Sequence, residues 1–127
     1  MFNDLIVKDG SVRNLSGERE GFAFETHIAY YRGLGLSMVE TPRIVIDGEE
    51  IAGENVTFTL HGKTRTFAEL AHVYDERWEL REFATVGVAY PGGLAAGEHT
   101  LEVTQTLRVS YLPILSQNTV SVRFTID

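Results

Sequence analysis

The chain has no cysteine among its 127 residues. Disulfide bonds, thiolate metal sites, iron–sulfur clusters and thiol nucleophiles are therefore excluded. No apolar run approaches the roughly 20 residues that a membrane-spanning helix needs, and residues 1–9 carry acids where a signal peptide carries a basic segment. We expect a cytoplasmic protein that has no membrane partner and is stabilised by packing and hydrogen bonds.

Positive charge is also scarce. Eleven Lys and Arg stand against 18 Asp and Glu, which gives a net charge of −7. Such a chain does not bind phosphate backbones through counterion release, so nucleic acid is excluded as a default partner. With 43% hydrophobic residues, the length suits one core of two packed layers. We predict a single β-sandwich domain over residues 1–127.

Period-two alternation is the strongest pattern present. Apolar residues occupy the odd positions of Leu101–Tyr111, with Gln105 as the one break, and residues 120–126 repeat the pattern. These two segments predict strands that pair or face each other across a core. A third strand is predicted for Phe22–Tyr30, where Thr26 interrupts the alternation and is interpreted as a bulge.

Turn signals divide the rest of the chain. Asp47-Gly48 and His61-Gly62-Lys63 are typical of tight hairpin turns. The predicted strands around them are residues 43–46 with 49–51 and 56–60 with 64–67, followed by a strand at 82–90. A capping box at Thr66–Glu69 predicts the one short helix. The fold class is therefore all-β, an antiparallel, jelly-roll-like β-sandwich with one short helix.

Catalytic motifs are weak. Glu69, His72 and Asp75 are spaced three apart and could lie on one helix face as metal ligands, but the capping box already uses Glu69. No serine sits in a Gly-x-Ser-x-Gly setting, and no dinucleotide-binding or phosphate-binding loop is present. We predict no catalytic residue, metal site or cofactor in this chain.

Large amphipathic residues gather at three places. Tyr30, Tyr31 and Arg32 precede a glycine-bearing loop, the only tryptophan follows three charged residues, and an aromatic residue leads a Leu-Pro-Ile-Leu run. The residues at the second and third places are Asp75, Arg77, Trp78 and Tyr111. Three interpretations stay open: core packing with surface ion pairs, the centre of a protein interface, or stacking on a sugar.

These segments resemble the small beta subunit of C-glycoside deglycosidases, bacterial enzymes that cleave the carbon–carbon bond between a sugar and an aromatic aglycone. The likeness covers nearly the whole chain. Its order and spacing are more specific than any single motif. The motifs are Met1-Phe2-Asn3-Asp4, Tyr30-Tyr31-Arg32-Gly33-Leu34-Gly35-Leu36-Ser37, His61-Gly62-Lys63-Thr64, Asp75-Glu76-Arg77-Trp78-Glu79, Pro91-Gly92-Gly93-Leu94, Gly97-Glu98-His99 and Arg108-Val109-Ser110-Tyr111-Leu112-Pro113.

The resemblance implies a β-sandwich accessory subunit of a lyase in a higher hetero-oligomer. It implies a larger alpha subunit, similar to sugar-phosphate isomerase barrels, that holds a divalent, manganese-like metal and the base. The implied substrates are 3-oxo C-glycosides of flavonoids or related polyphenols. The residues expected at the subunit interface or the rim of the substrate pocket are Tyr30, Tyr31, Arg32, Asp75, Arg77, Trp78 and Tyr111.

Two other functions are considered. One is a free-standing carbohydrate-binding or structural β-sandwich module. The other is an independent small enzyme that uses Glu69, His72 and Asp75.

Overall fold

A computed structural model describes residues 6–15, 20–29, 33–108 and 116–126. Within these ranges the strands are β1 (Arg13–Asn14), β2 (Gly21–His27), β3 (Leu34–Gly35), β4 (Arg43–Ile46), β5 (Glu49–Ile51), β6 (Val56–Leu60), β7 (Lys63–Thr66), β8 (Arg77–Trp78), β9 (Phe83–Ala89), β10 (Gly97–Leu107) and β11 (Ser116–Ile126). The α-helix is α1 (Phe67–Leu70), and short 3₁₀ turns occupy Leu36–Met38 and Gly53–Asn55. Four predicted site residues, Tyr30, Tyr31, Arg32 and Tyr111, lie outside the described ranges.

The strands form two main sheets and one two-stranded sheet. Their orders are β1-β2-β9-β6-β7, β11-β10-β4-β5 and β3-β8, and the pairings are antiparallel. This confirms the prediction of an all-β sandwich with one short helix. In the described part of the chain, no helix has the length and apolarity needed to cross a membrane.

Alternating side chains from both main sheets build the core. On the strands of the two main sheets, the largest fully buried residues are Phe22, Phe24 and Phe58 of the first sheet and Ile44, Ile46, Leu101 and Leu107 of the second. At roughly 25 cal/mol per Å² of buried apolar surface, these side chains carry the main favourable term in folding. The core is therefore built from every second residue of the strands, as the period-two pattern predicts.

The last two strands pair with each other along their full length, which confirms the first of the two predicted arrangements. Their register runs from Gly97↔Ile126 to Leu107↔Ser116. Both strands begin four residues earlier than the apolar alternation predicts, at Gly97 and Ser116. Hydrogen bonds of a ladder join backbone groups, so pairing continues through polar stretches that a hydrophobic pattern does not reveal.

The predicted bulge at Thr26 is wrong. Pairing runs without a break through Glu25↔Thr85, Thr26↔Ala84 and His27↔Phe83, and Thr26 is buried. It points inward in step with Phe22 and Phe24. A polar residue at an inward position is compatible with a regular strand when its hydroxyl finds a partner.

Both predicted hairpin turns and the helix start are confirmed. Asp47 and Gly48 have φ values of 50° and 86°, and His61 and Gly62 have 55° and 75°; positive φ at both central residues defines the turn that matches strand twist. At the helix start, Thr66 Oγ1 accepts from the Glu69 backbone N–H, and the Glu69 carboxylate accepts from the Thr66 N–H at 2.7 Å.

Candidate functional site

Residues 71–82, here called the α1–β9 connection, bring two of the three predicted segments together. Strand β8 in this connection pairs with β3, with Leu34 opposite Trp78 and Gly35 opposite Arg77. The Leu36 N–H donates to the Glu76 carbonyl at 3.0 Å. The residues that follow Arg32 in sequence therefore lie against the Asp75–Trp78 segment.

Trp78 anchors the connection to the first sheet. Its side chain is 1% exposed, and its ring meets Phe58 edge-on with centroids 5.3 Å apart. The indole N–H donates to the Glu82 carbonyl at 3.0 Å. These contacts favour the core interpretation of Trp78, because a buried indole with a satisfied N–H has no face left for a ligand.

Arg77 and Asp75 lie on the exposed side of the same connection. The Arg77 guanidinium donates to the Gly33 carbonyl at 2.9 Å and lies 3.7 Å from the Glu79 carboxylate. Gly33 has no room for a side chain, since a Cβ atom there would lie 2.7 Å from the Trp78 carbonyl oxygen. Arg77 thus helps to fix the chain just after the Tyr30–Arg32 segment.

Glu76 is the electrostatic centre of the connection, and the sequence analysis did not single it out. It accepts from Arg65 at 2.9 Å and from His61 Nδ1 at 2.9 Å, with Lys63 at 3.5 Å. Arg65 first, and then His61, lower the pKa of the Glu76 carboxyl to about 2. Three cations from the β6–β7 hairpin therefore hold one carboxylate that lies far from them in sequence.

His61 links this hairpin to the connection on both sides of β8, at Glu76 before the strand and at Glu82 after it. Its Nδ1 contacts Glu76, and its Nε2 contacts Glu82. These two carboxylates, Glu76 before Glu82, raise the pKa of His61. Burial raises the pKa of Glu82, but the Glu79 backbone N–H and the imidazole outweigh this effect and leave it lowered.

Two large hydrophobic side chains of the described residues are exposed, and both belong to the connection. Tyr74 is 79% exposed and Leu80 is 38% exposed. No sequence pattern marks them, because neither breaks the alternation. Single exposed apolar side chains are ordinary on a protein surface, but tyrosine is enriched at the energetic centres of interfaces, so Tyr74 is a candidate contact residue.

Tyr30, Tyr31, Arg32 and Tyr111 lie outside the described residues, but some of the residues beside them in sequence are described. Ala29, which precedes Tyr30, donates its N–H to Gln105 Oε1 at 2.6 Å, and its carbonyl accepts from Asn118 Nδ2 at 3.3 Å. Gln105 and Asn118 face each other near the end of the β10–β11 hairpin. The described flank of the Tyr30–Arg32 segment therefore lies at the hairpin end from which the Tyr111 segment departs.

The structure does not support a metal site at Glu69, His72 and Asp75. Glu69 is occupied by Thr66, whose backbone N–H and hydroxyl lower its carboxyl pKa. Across the described ranges, no group of three His, Asp or Glu side chains has the geometry to hold a metal ion. The small-enzyme alternative therefore lacks the cluster it requires.

A groove of about 340 Å³ opens on the outer face of the first sheet, lined in part by Glu20, Asn55 and Thr57. Its described lining residues include no aromatic ring. Sugar-binding sites commonly stack an aromatic face on a pyranose, so this groove gives the sugar-stacking interpretation no support.

Comparison with known proteins agrees with the resemblance. The family model described as C-glycoside deglycosidase beta subunit matches residues 2–111. A C-glycoside deglycosidase beta subunit of Eubacterium cellulosolvens is 32% identical over 108 residues, covering 85% of this chain and 74% of that protein. A 3'-dehydrocarminate deglycosidase beta subunit of a Microbacterium species is 30% identical over 115 residues, covering 90% and 83%. A C-glycoside deglycosidase beta subunit of Arthrobacter globiformis is 29% identical over 126 residues, covering 98% of this chain and 93% of that protein. With most of its length matched, the chain belongs to the family of C-glycoside deglycosidase beta subunits.

Proposed function

We propose that this chain is the beta subunit of a heteromeric C-glycoside deglycosidase and that it completes the active site of a larger alpha subunit. The observation that carries the proposal is the family match over residues 2–111. The name of one relative specifies a 3'-dehydro substrate, which supports a sugar that is already oxidised at carbon three. The proposed substrates are 3-oxo C-glycosides of flavonoids or related polyphenols.

The proposed reaction is an elimination. An aryl carbon is a poor leaving group for hydrolysis, but a ketone at carbon three acidifies the hydrogen on carbon two. A general base removes this proton, the electron pair forms the double bond between carbons one and two, and the bond from carbon one to the aglycone breaks. The aglycone carbon takes up a proton, so no oxidant or reductant is consumed.

In this proposal the base and a divalent, manganese-like metal belong to the alpha subunit. A bound divalent metal supplies charge stabilisation at the ketone oxygen. This chain supplies positioning and enclosure. Excluding water at the rim of a pocket strengthens the electrostatic interactions inside it.

The α1–β9 connection and β3 are the proposed contact surface. Tyr74, Leu80 and Arg77 are exposed there, and Trp78 holds the connection from below. Exposed aromatic and arginine side chains are enriched at the energetic centres of interfaces. The contact also includes Asp75 and, as predicted from sequence, Tyr30, Tyr31, Arg32 and Tyr111.

Separate purification of the two subunits tests the proposal. Release of free aglycone from a 3-oxo C-glycoside is followed by chromatography for the alpha subunit, this chain and their mixture. We expect only the mixture to release aglycone. Metal analysis should find the metal with the alpha subunit. Full activity of the alpha subunit alone would contradict the proposal. Heat on titrating this chain alone with simple glycans would favour a free-standing carbohydrate-binding module.

A further inference from the structure

The β6–β7 turn carries a histidine that reaches two separate points of the α1–β9 connection. His61 has a φ of 55°, a left-handed backbone conformation that is uncommon outside glycine but in which asparagine, aspartate and histidine are enriched. From there Nδ1 lies 2.9 Å from Glu76 Oε2, and Nε2 contacts Glu82 Oε2. Both ring nitrogens thus face carboxylate oxygens.

The proton count of this arrangement is fixed by chemistry. An ionised carboxylate only accepts hydrogen bonds, so each ring nitrogen must carry a hydrogen to bind one. A neutral imidazole has a single N–H, and its other nitrogen carries a lone pair. With both carboxylates ionised, the geometry at His61 therefore calls for the imidazolium form, and loss of one proton turns one of the two contacts into a repulsion.

We propose that His61 is a pH-sensitive positioning residue that clamps the α1–β9 connection onto the β6–β7 hairpin and releases the Glu82 end when it loses its proton. Glu76 is the end that stays. Arg65 at 2.9 Å and Lys63 at 3.5 Å hold its carboxylate independently of His61. The charged groups that face the imidazole are the two carboxylates, Glu76 and Glu82.

Release of Glu82 affects the turn that carries an exposed apolar residue. Glu82 Oε1 accepts from the Glu79 N–H at 3.0 Å, and the Glu82 carbonyl accepts from the Trp78 indole at 3.0 Å. Leu80 lies inside this turn and is 38% exposed. Freeing the carboxylate loosens the turn. The surface around Leu80 then becomes less ordered and loses more conformational entropy when the partner binds.

This inference rests on the proposed function, because its main consequence is pH-dependent association with the alpha subunit. The partner brings its own titrating groups, so the test compares variants at each pH. In Glu82→Gln, the amide nitrogen can donate to a neutral His61 Nε2 while the amide oxygen accepts from the Glu79 N–H as the carboxylate does. This substitution keeps the shape of the contact and removes its need for a proton.

The experiment measures the dissociation constant of the subunit pair by calorimetry from about pH 6 to about pH 9, a range that starts below the usual histidine pKa and extends above it, in the direction in which the pKa of His61 is raised. As pH rises over this range, we expect the dissociation constant of the wild type to increase about three- to fivefold more than that of Glu82→Gln. This is the change in affinity that loss of a partly exposed ion pair produces. His99→Gln is the matched control, because His99 pairs with Asp47 in a different hairpin. It should follow the wild type.

Two results overturn the clamp. One is identical pH dependence of wild type and Glu82→Gln in a complex that forms normally. The other is a neutral His61 ring at neutral pH in nitrogen NMR of the wild-type chain, a measurement that does not depend on any variant folding. Absence of a complex at every pH would instead contradict the proposed function, so the two failures are distinguishable.

Discussion

Gln105 and Thr26 face each other inside the sandwich, with Gln105 Nε2 3.5 Å from Thr26 Oγ1. They belong to different sheets, on β10 and β2. The same amide nitrogen donates to the His27 carbonyl at 3.1 Å, and Gln105 Oε1 accepts from the Ala29 N–H at 2.6 Å. Gln105 therefore satisfies the backbone where β2 ends and the chain turns toward residues 30–32.

Gln105→Leu tests this role. The substitution keeps the approximate size of the side chain but leaves the Ala29 N–H and the His27 carbonyl without their partner. We expect a loss of about 2–3 kcal/mol in the free energy of unfolding, measured with urea, because buried unpaired polar groups are costly. Thr26→Val is the control, and it should lose under about 1 kcal/mol since it removes a long contact only. Equal losses in the two variants would contradict the role given to Gln105.

Tyr74→Ala separates docking from folding. With 79% of its side chain exposed, we expect its removal to change the free energy of unfolding by less than about 0.5 kcal/mol. Association with the alpha subunit should weaken about tenfold, the effect of losing an interface aromatic. Calorimetry measures the association and circular dichroism the unfolding.

Trp78→Phe, in contrast to Tyr74→Ala, changes a buried residue and is expected to lower the stability of the chain. It removes the indole N–H that donates to Glu82 at 3.0 Å, so we expect a loss of about 1–2 kcal/mol in stability. An unchanged dissociation constant in Tyr74→Ala would contradict a contact between Tyr74 and the partner.

His99 gives the folded chain a dependence on pH that can be measured without a partner. Its Nδ1 donates to Asp47 at 2.6 Å, and its Nε2 donates to the Ala95 carbonyl at 2.7 Å. Asp47 first, and then the Ala95 carbonyl, raise the pKa of His99 above its usual 6.5. Protonated His99 therefore stabilises the folded chain. This stabilisation is complete below pH 6.5 and is lost as pH rises through the raised pKa.

Asp47 sets the low-pH limit of the stabilisation by this pair, since hydrogen bonds from His99 and the Thr100 N–H lower its pKa below the usual 3.8. Its contribution is present above pH 3.8 and is lost as pH falls through the lowered pKa. The difference in urea midpoint between wild type and His99→Gln should therefore be largest between these limits and shrink at higher pH. A constant difference from about pH 6 to about pH 9 would contradict the charged form of His99.

The sheets and hairpins could be predicted from local patterns, because alternation and turn residues act over a few positions. The two polar breaks could not be understood in the same way. Thr26 and Gln105 each interrupt an apolar face, and Gln105 is explained by the backbone groups at the end of β2 that it binds across the core. The predicted bulge at Thr26 followed from treating one break alone.

In the candidate site, too, some residues could be predicted from local sequence and others depend on contacts in the assembled fold. The sequence brought out Asp75, Arg77 and Trp78 by residue type, but the centre of the connection is Glu76, whose partners lie 11 to 15 positions earlier on the β6–β7 hairpin. Tyr74 and Leu80 break no pattern, and their importance comes from exposure. Long-range charge pairing and exposure depend on the assembled fold, so no local signal could have identified these residues.

Gly33 and Gly35 form a matched pair for testing the β3–β8 contact, since they flank Leu34, the residue of β3 that pairs with Trp78. A Cβ at Gly33 would lie 2.7 Å from the Trp78 carbonyl oxygen and 3.0 Å from Glu79 Cα, whereas a Cβ at Gly35 would meet nothing nearer than 4.0 Å. Gly33→Ala must therefore push β3 away from β8. We expect it to cost about 1–3 kcal/mol in stability, as other overpacking substitutions do.

Gly35→Ala should change stability by less than about 1 kcal/mol, because the new methyl group enters open space. If the β3–β8 sheet forms part of the contact surface, association should weaken in Gly33→Ala and remain near wild type in Gly35→Ala. Calorimetry of both variants, at a temperature where urea titrations show each folded, measures this. Equal affinities would place the contact away from β3, because displacement of the strand would then leave the bound surface intact.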